Sequence, residues 1–206
     1  MTAIATEAVV ADTITIARIP APTGGEAARA AWLQRRLDDA PGQLSQDAVG
    51  NLVWRLGEPP YELALLTHLD TVFDESVDHD AYEQDGWLHG PGIGDNSLAL
   101  AVTVAVVERL NAGMRGSLVT VFTVGEEGLG ALRGAKHACE TLRPRQVIAL
   151  EGHGLDTVYT DAVGSVRARL EVTGPGGHSW WDKDRPSAVH GLRSTSCSTA
   201  HLRTCR

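Results

Sequence analysis

Apolar residues along this chain fall in short, dense runs separated by glycine-rich and acidic breaks, and the runs differ in period. Residues 27–37 place Ala28, Trp32, Leu33 and Leu37 on one side of a 3.6-residue repeat, which predicts an amphipathic helix. Thr23-Gly24-Gly25-Glu26, just ahead of it, has the spacing of a capping box, an N-cap threonine with a glutamate three residues on. Residues 51–56 read as a short strand. Residues 62–67 contain Leu63-Ala64-Leu65-Leu66 and predict a buried strand that ends at His68. Residues 73–94 are polar and turn-rich and read as a long excursion, of the kind that is usually functional. Asn96 or Ser97 can cap the next segment, to Leu110, which is apolar almost all round and so predicts a helix inside the fold. Residues 118–124 and 147–150 are two further strand-like runs, ending at Gly125 and Glu151.

Strand, helix, strand, helix, strand is the order of an α/β fold, a mainly parallel sheet with helices on both faces. In such sheets ligands sit beyond the carboxyl ends of the strands. The pattern changes near Gly164. There Val166, Ala168, Leu170 and Val172 alternate with Arg167, Arg169, Glu171 and Thr173, the period of a strand with one wet face, more typical of an antiparallel sheet. A first domain is therefore expected over residues 1–163 and the start of a second over 164–190. Residues 191–206 have no readable period and no acidic residue, and are expected to be disordered.

At 206 residues with 43% hydrophobic content, the chain is long enough for one full domain and part of another. A net charge of −8 points away from nucleic acid or an anionic membrane as a partner. The amino terminus has neither the basic start nor the apolar core of a secretory signal, and the most apolar stretch, residues 97–110, is too short to span a bilayer, so a cytoplasmic protein is expected. Two of the three cysteines, Cys197 and Cys205, fall near the end, and no CxxC pair offers a thiolate zinc site. Cys139 reads as a small buried hydrophobe.

The chemistry-bearing residues cluster at the predicted strand ends. His68 and Asp70 are two apart, so on an extended segment both point the same way; Asp70 can accept a bond from one ring nitrogen and leave the other free for a metal. Such a pair is commonplace on protein surfaces, and adjacent acids such as Glu126-Glu127 commonly mark a solvated helix start. Their shared position after apolar strands, with Glu151 after a third, changes that reading to a metal-dependent hydrolytic site. Two adjacent carboxylates can divide roles there, one binding metal and the other taking a proton from the attacking water. Asp95 opens the buried helix. The Gly90-Pro91-Gly92-Ile93-Gly94 run before it lacks the Walker lysine and the spacing of a dinucleotide fingerprint.

Taken in order, Thr67-His68-Leu69-Asp70-Thr71-Val72, Gly90-Pro91-Gly92-Ile93-Gly94-Asp95-Asn96, Val124-Gly125-Glu126-Glu127-Gly128, Glu151-Gly152 and Gly174-Pro175-Gly176-Gly177-His178-Ser179 resemble the M20 metallopeptidases, a family of aminoacylases, glutamate carboxypeptidases, tripeptidases and acyl-amino-acid deacylases. The resemblance runs from about Ile19 to His190. It implies a zinc-exopeptidase-like catalytic domain with an α+β lid or dimerisation domain, acting on a small peptide or N-acyl amino acid. It implies zinc, with cobalt or manganese as substitutes: His68 and Glu151 on a first ion, Glu127 on a second, and Asp95 bridging them with a cis peptide after it. Asp70 would orient His68, Glu126 would be the general base and acid, and His178 from the lid would contact the substrate's carbonyl or carboxylate, across a homodimer in some members. Two zinc ions bring four positive charges; Asp95, Glu127, Glu151 and a bridging hydroxide would balance them.

The resemblance stops after Pro186-Ser187-Ala188-Val189-His190, which looks like the start of a lid helix. Family members continue through the lid, return to the catalytic domain and supply a late histidine to the second metal. The basic, cysteine-containing tail here reads as a frameshift or truncation, and nothing around His201 looks like a strand-end ligand. Three functions follow as expectations: a zinc-dependent amide hydrolase, impaired by truncation; a non-catalytic remnant or single-metal module; or a binding module that keeps the fold alone. One tight metal site is expected.

Overall fold

The strand-like runs pair into one sheet, and its order explains how distant acidic residues meet. The computed structural model describes residues 4–110, 117–151, 157–164, 171–178 and 180–194. The chain divides into two compact units, Met1–Thr157 and Val158–Arg206. The first unit runs α1 (Thr6–Ala17), α2 (Ala27–Arg36), β1 (Gln43–Gln46), β2 (Leu52–Leu56), β3 (Leu63–His68), β4 (Tyr82–Gln84), β5 (Trp87–His89), α3 (Leu98–Val107), β6 (Leu118–Thr123), α4 (Arg133–Leu142) and β7 (Gln146–Ala149).

The main sheet has the order β1-β2-β6-β3-β7. β3 is parallel to both β6 and β7. β2 is antiparallel to both β1 and β6, so β1 shares the direction of the other three and β2 alone runs against it. The sheet is thus mainly parallel, and the register places His68 beside Thr123 and Leu66 beside Ala149. The residues that follow β3, β6 and β7 therefore emerge together at one edge.

Edge strand β7 is exposed throughout, while both faces are covered over β2, β3 and β6. On one, Leu52, Trp54, Leu56, Phe122 and Val124 pack with Ile16 of α1, Ala30 and Leu33 of α2, and Leu100, Ala101, Val104 and Val107 of α3. On the other, Val53, Ala64, Leu66, Val119 and Val121 pack with Ala138 of α4. Strand alternation divides β2 and β6 between the two cores. α3 is buried nearly all round, as its apolar pattern predicts.

Several local expectations are corrected. α2 buries Arg29, Ala30 and Leu33, with Leu37 after it, while Ala28 is exposed and Trp32 half-buried. The capping box does not form: Thr23 and Glu26 bond elsewhere, and α2 has no side-chain cap. Cys139 is exposed, because α4 turns Ala138 rather than its neighbour to the sheet. The excursion between β3 and α3 contains the hairpin β4–β5, closed by Asp85 and Gly86 at φ 54° and 78°.

In the second unit the one described helix is α5 (Ala188–Ser194), which runs past Gly191, where no element was expected. Of the predicted strand 166–172, residues 166–170 lie outside the described residues, and Glu171 and Val172 are not in a strand. Residues 195–206 also lie outside them. Among the described residues no helix is long and apolar enough to cross a membrane.

Candidate metal and active site

His68 closes β3 with its side chain 2% exposed. Its Nδ1 lies 2.9 Å from the main-chain oxygen of Asp70 and 3.6 Å from that residue's carboxylate. The ring bond thus goes to the carbonyl, and fixes Nδ1 as the protonated nitrogen in the neutral ring. Nε2 points the other way, 2.9 Å from Asp95 Oδ1 and 3.0 Å from Glu151 Oε2.

The Asp70 carboxylate, fully buried, is left free to bind the next strand's exit. Its Oδ1 accepts the Glu126 N–H at 3.0 Å, and its Oδ2 accepts the Glu127 N–H at 3.0 Å and the Thr23 hydroxyl at 2.9 Å. Asp95 precedes a cis peptide to Asn96. Asn96, 1% exposed, donates from Nδ2 to Thr67 Oγ1 at 3.0 Å, to the Leu150 carbonyl at 3.1 Å and to Glu151 Oε2 at 3.5 Å. It ties the start of α3 to the ends of β3 and β7.

Burial disfavours a charged His68, but the negative charge of the nearby Asp70 and Glu151 carboxylates outweighs it and lifts the imidazole to about 11. Burial would likewise raise Asp70, yet His68, the Glu126 and Glu127 amides and Thr23 together hold it at about 2. Glu126 is raised, first by burial and then by Glu151, Asp70 and Asp95, with His68 opposing. Glu127 is raised by burial, Asp95 and Glu126.

The donor set fits a divalent metal. Ligand atoms of His68, Asp95 and Glu151 lie within 4.8 Å of one another, as do those of His68, Glu126 and Glu127. Imidazole with carboxylates suits a divalent metal ion, and three protein ligands leave coordination positions open. The open side faces solvent: the Asp95 and Glu151 side chains are 54% and 39% exposed. Glu126 and Glu127 are both in reach of His68, so proximity alone does not assign their roles.

Of the residues singled out from sequence, His68, Asp70, Asp95, Glu126, Glu127 and Glu151 come together in the first unit. His178 belongs to the second. There its main-chain N–H donates to Asp182 Oδ2 at 2.8 Å, and its Nδ1 accepts the Trp180 N–H at 3.3 Å. The neutral ring therefore carries its proton on Nε2 as a donor.

Three residues beneath the site were not foreseen: Thr23, Glu26 and Arg29. Arg29, 1% exposed, donates from Nε to the Ile19 carbonyl at 2.9 Å and from Nη1 to the Leu69 carbonyl at 3.0 Å. Burial lowers its guanidinium to about 10, with the Asp70 charge pulling it back up.

Residues 64–195 match the model of peptidase family M20/M25/M40. A [LysW]-lysine hydrolase of Deinococcus radiodurans is 31% identical over 159 residues, covering 75% of this chain and 42% of its own length. Among solved structures, aminopeptidase PepT of Bacillus cereus is similar with a TM-score of 0.59 at 22% identity, over 73% of this chain and 44% of that one. A tripeptidase of Staphylococcus aureus matches with the same score, identity and coverage, a TM-score of 0.59. The chain thus spans less than half the length of each of these relatives.

Proposed function

Because the chain belongs to peptidase family M20/M25/M40, we propose that its first unit is the metal-binding part of an amide hydrolase that acts on small peptides or N-acyl amino acids. The observation that carries this is the meeting of His68 Nε2 with the Asp95 and Glu151 carboxylates at 2.9 and 3.0 Å, beside the Glu126-Glu127 pair. The amide linkage as substrate is supported by the relatives: a [LysW]-lysine hydrolase, an aminopeptidase and a tripeptidase.

In this reading His68, Asp95 and Glu151 hold zinc, or cobalt or manganese in its place. Glu127, together with Asp95, would hold a second ion more weakly. A bound ion would supply Lewis acidity for the scissile carbonyl and for the ionisation of water. Glu126 takes the proton from the attacking water and hands it to the leaving nitrogen, so the C–N bond breaks to a free amine and a carboxylate. Asp70 does not touch the reacting atoms; its main-chain oxygen orients His68 and its carboxylate fixes the backbone of Glu126 and Glu127.

The test is an assay of the purified chain against N-acetyl amino acids and dipeptides, with zinc and with a chelator. Amine release that the chelator stops and zinc restores supports the proposal. Release that is indifferent to the chelator, or that survives His68→Ala, overturns it.

A further inference from the structure

Three successive backbone N–H groups at the exit of β6 are each held by a carboxylate oxygen. Asp70 takes those of Glu126 and Glu127. The first, of Gly125, goes to Glu26 Oε1 at 3.0 Å, from a residue 99 positions earlier in the chain. The same Oε1 accepts the Gly24 N–H at 2.8 Å, and Glu26 is 5% exposed. Gly125 stands at φ 63°, in the left-handed region, so the chain bends sharply one residue before Glu126. A Cβ there would meet the Arg133 side chain at 3.2 Å. The bend that aims Glu126 is thus held through its own amide by a side chain from outside the metal cluster.

We propose that Glu26 is a positioning residue for the Glu126-Glu127 pair: by holding the Gly125 amide it fixes the bend and hence where both carboxylates fall. The inference rests on the amide-hydrolase reading above. One oxygen makes both bonds, and a neutral amide oxygen at the same reach can accept them as well. Glu26→Gln keeps an acceptor oxygen at that reach without charge. Glu26→Asp keeps the charge but withdraws the oxygen by one methylene.

The two variants, made in the full chain, separate these causes. Glu26→Gln should keep kcat within about 3-fold of the parent, whereas Glu26→Asp should lose on the order of 100-fold in kcat, as a misplaced reacting group does, with KM nearly unchanged. Zinc at His68, Asp95 and Glu151 should be retained in both. Amide hydrogen exchange at Gly125, Glu126 and Glu127 should quicken in Glu26→Asp and not in Glu26→Gln. Equal kcat in the two variants, a larger loss in Glu26→Gln, or unchanged exchange in Glu26→Asp would overturn the proposal. If the parent chain hydrolyses no acylated amino acid, the functional reading fails separately, and the exchange comparison still decides whether Glu26 holds the bend.

Discussion

At the scale of single residues, the site is built by dividing labour between the two ends of each acidic side chain's neighbourhood. His68 spends Nδ1 on a main-chain oxygen and keeps Nε2 for the metal cluster, and Asp70 spends its carboxylate on the backbone of the next strand's exit. Glu126→Gln should lower turnover by about 10²–10⁴-fold with metal content unchanged, since it removes a proton acceptor. Glu127→Gln should lower metal occupancy instead. Turnover and elemental analysis on both variants check this, and equal effects on metal would contradict the division of roles. Arg29→Met should destabilise the chain by about 3 kcal/mol, because the Ile19 and Leu69 carbonyls lose their donor in a buried place. Urea unfolding reads this directly; a loss below about 1 kcal/mol would show that both carbonyls find other partners.

Five of the six clustered site residues were legible because each follows an apolar run, and a parallel sheet gathers such positions at one edge; Asp95, after a glycine-rich run, was legible from the apolar helix it opens and from the family motif. Thr23, Glu26 and Arg29 were not. Their local spacing has a sufficient local explanation, a capping box and a helix repeat. Their actual partners lie 47, 99 and 40 residues away in the chain, and local periodicity carries no trace of them.

At the scale of elements, the strong patterns belong to the central strands and α3. β2, β3 and β6 are buried on one or both faces, so their sequences are dense in Val and Leu. β1 is missed because it is an edge strand, Gln-Leu-Ser-Gln, mostly exposed, with no apolar face to betray it. The hairpin β4–β5 had a signal, the Asp85-Gly86 pair that suits a turn with both residues at positive φ. α4 docks on the sheet through Gly134, where the Asn51 amide oxygen lies 2.2 Å and the Val124 backbone 2.6 Å from where a Cβ would stand. Asn51 meanwhile accepts the Val124 N–H at 2.9 Å and donates to the Gly134 carbonyl at 3.0 Å. Gly134→Ala should therefore cost about 3 kcal/mol, well beyond a helix-propensity gain of about 1 kcal/mol, as thermal or urea unfolding would show. A neutral or stabilising result would mean that α4 can slide away from Asn51 without loss.

At the scale of the whole molecule, one topological fact produces the site: β3, β6 and β7 run the same way, so His68, the Glu126-Glu127 pair and Glu151 arrive at one edge from three separate stretches of chain. Asp95 joins them from the start of α3, and Asn96 pins that start to the strand ends. The resulting set of carboxylates around one imidazole has the composition of a divalent-metal site, and its solvent-facing side is open to a substrate. Zinc content after dialysis against metal-free buffer tests this most directly. The parent chain should retain one zinc ion, and His68→Ala should retain none. A parent chain that keeps no zinc, or a His68→Ala variant that keeps as much as the parent, would contradict it.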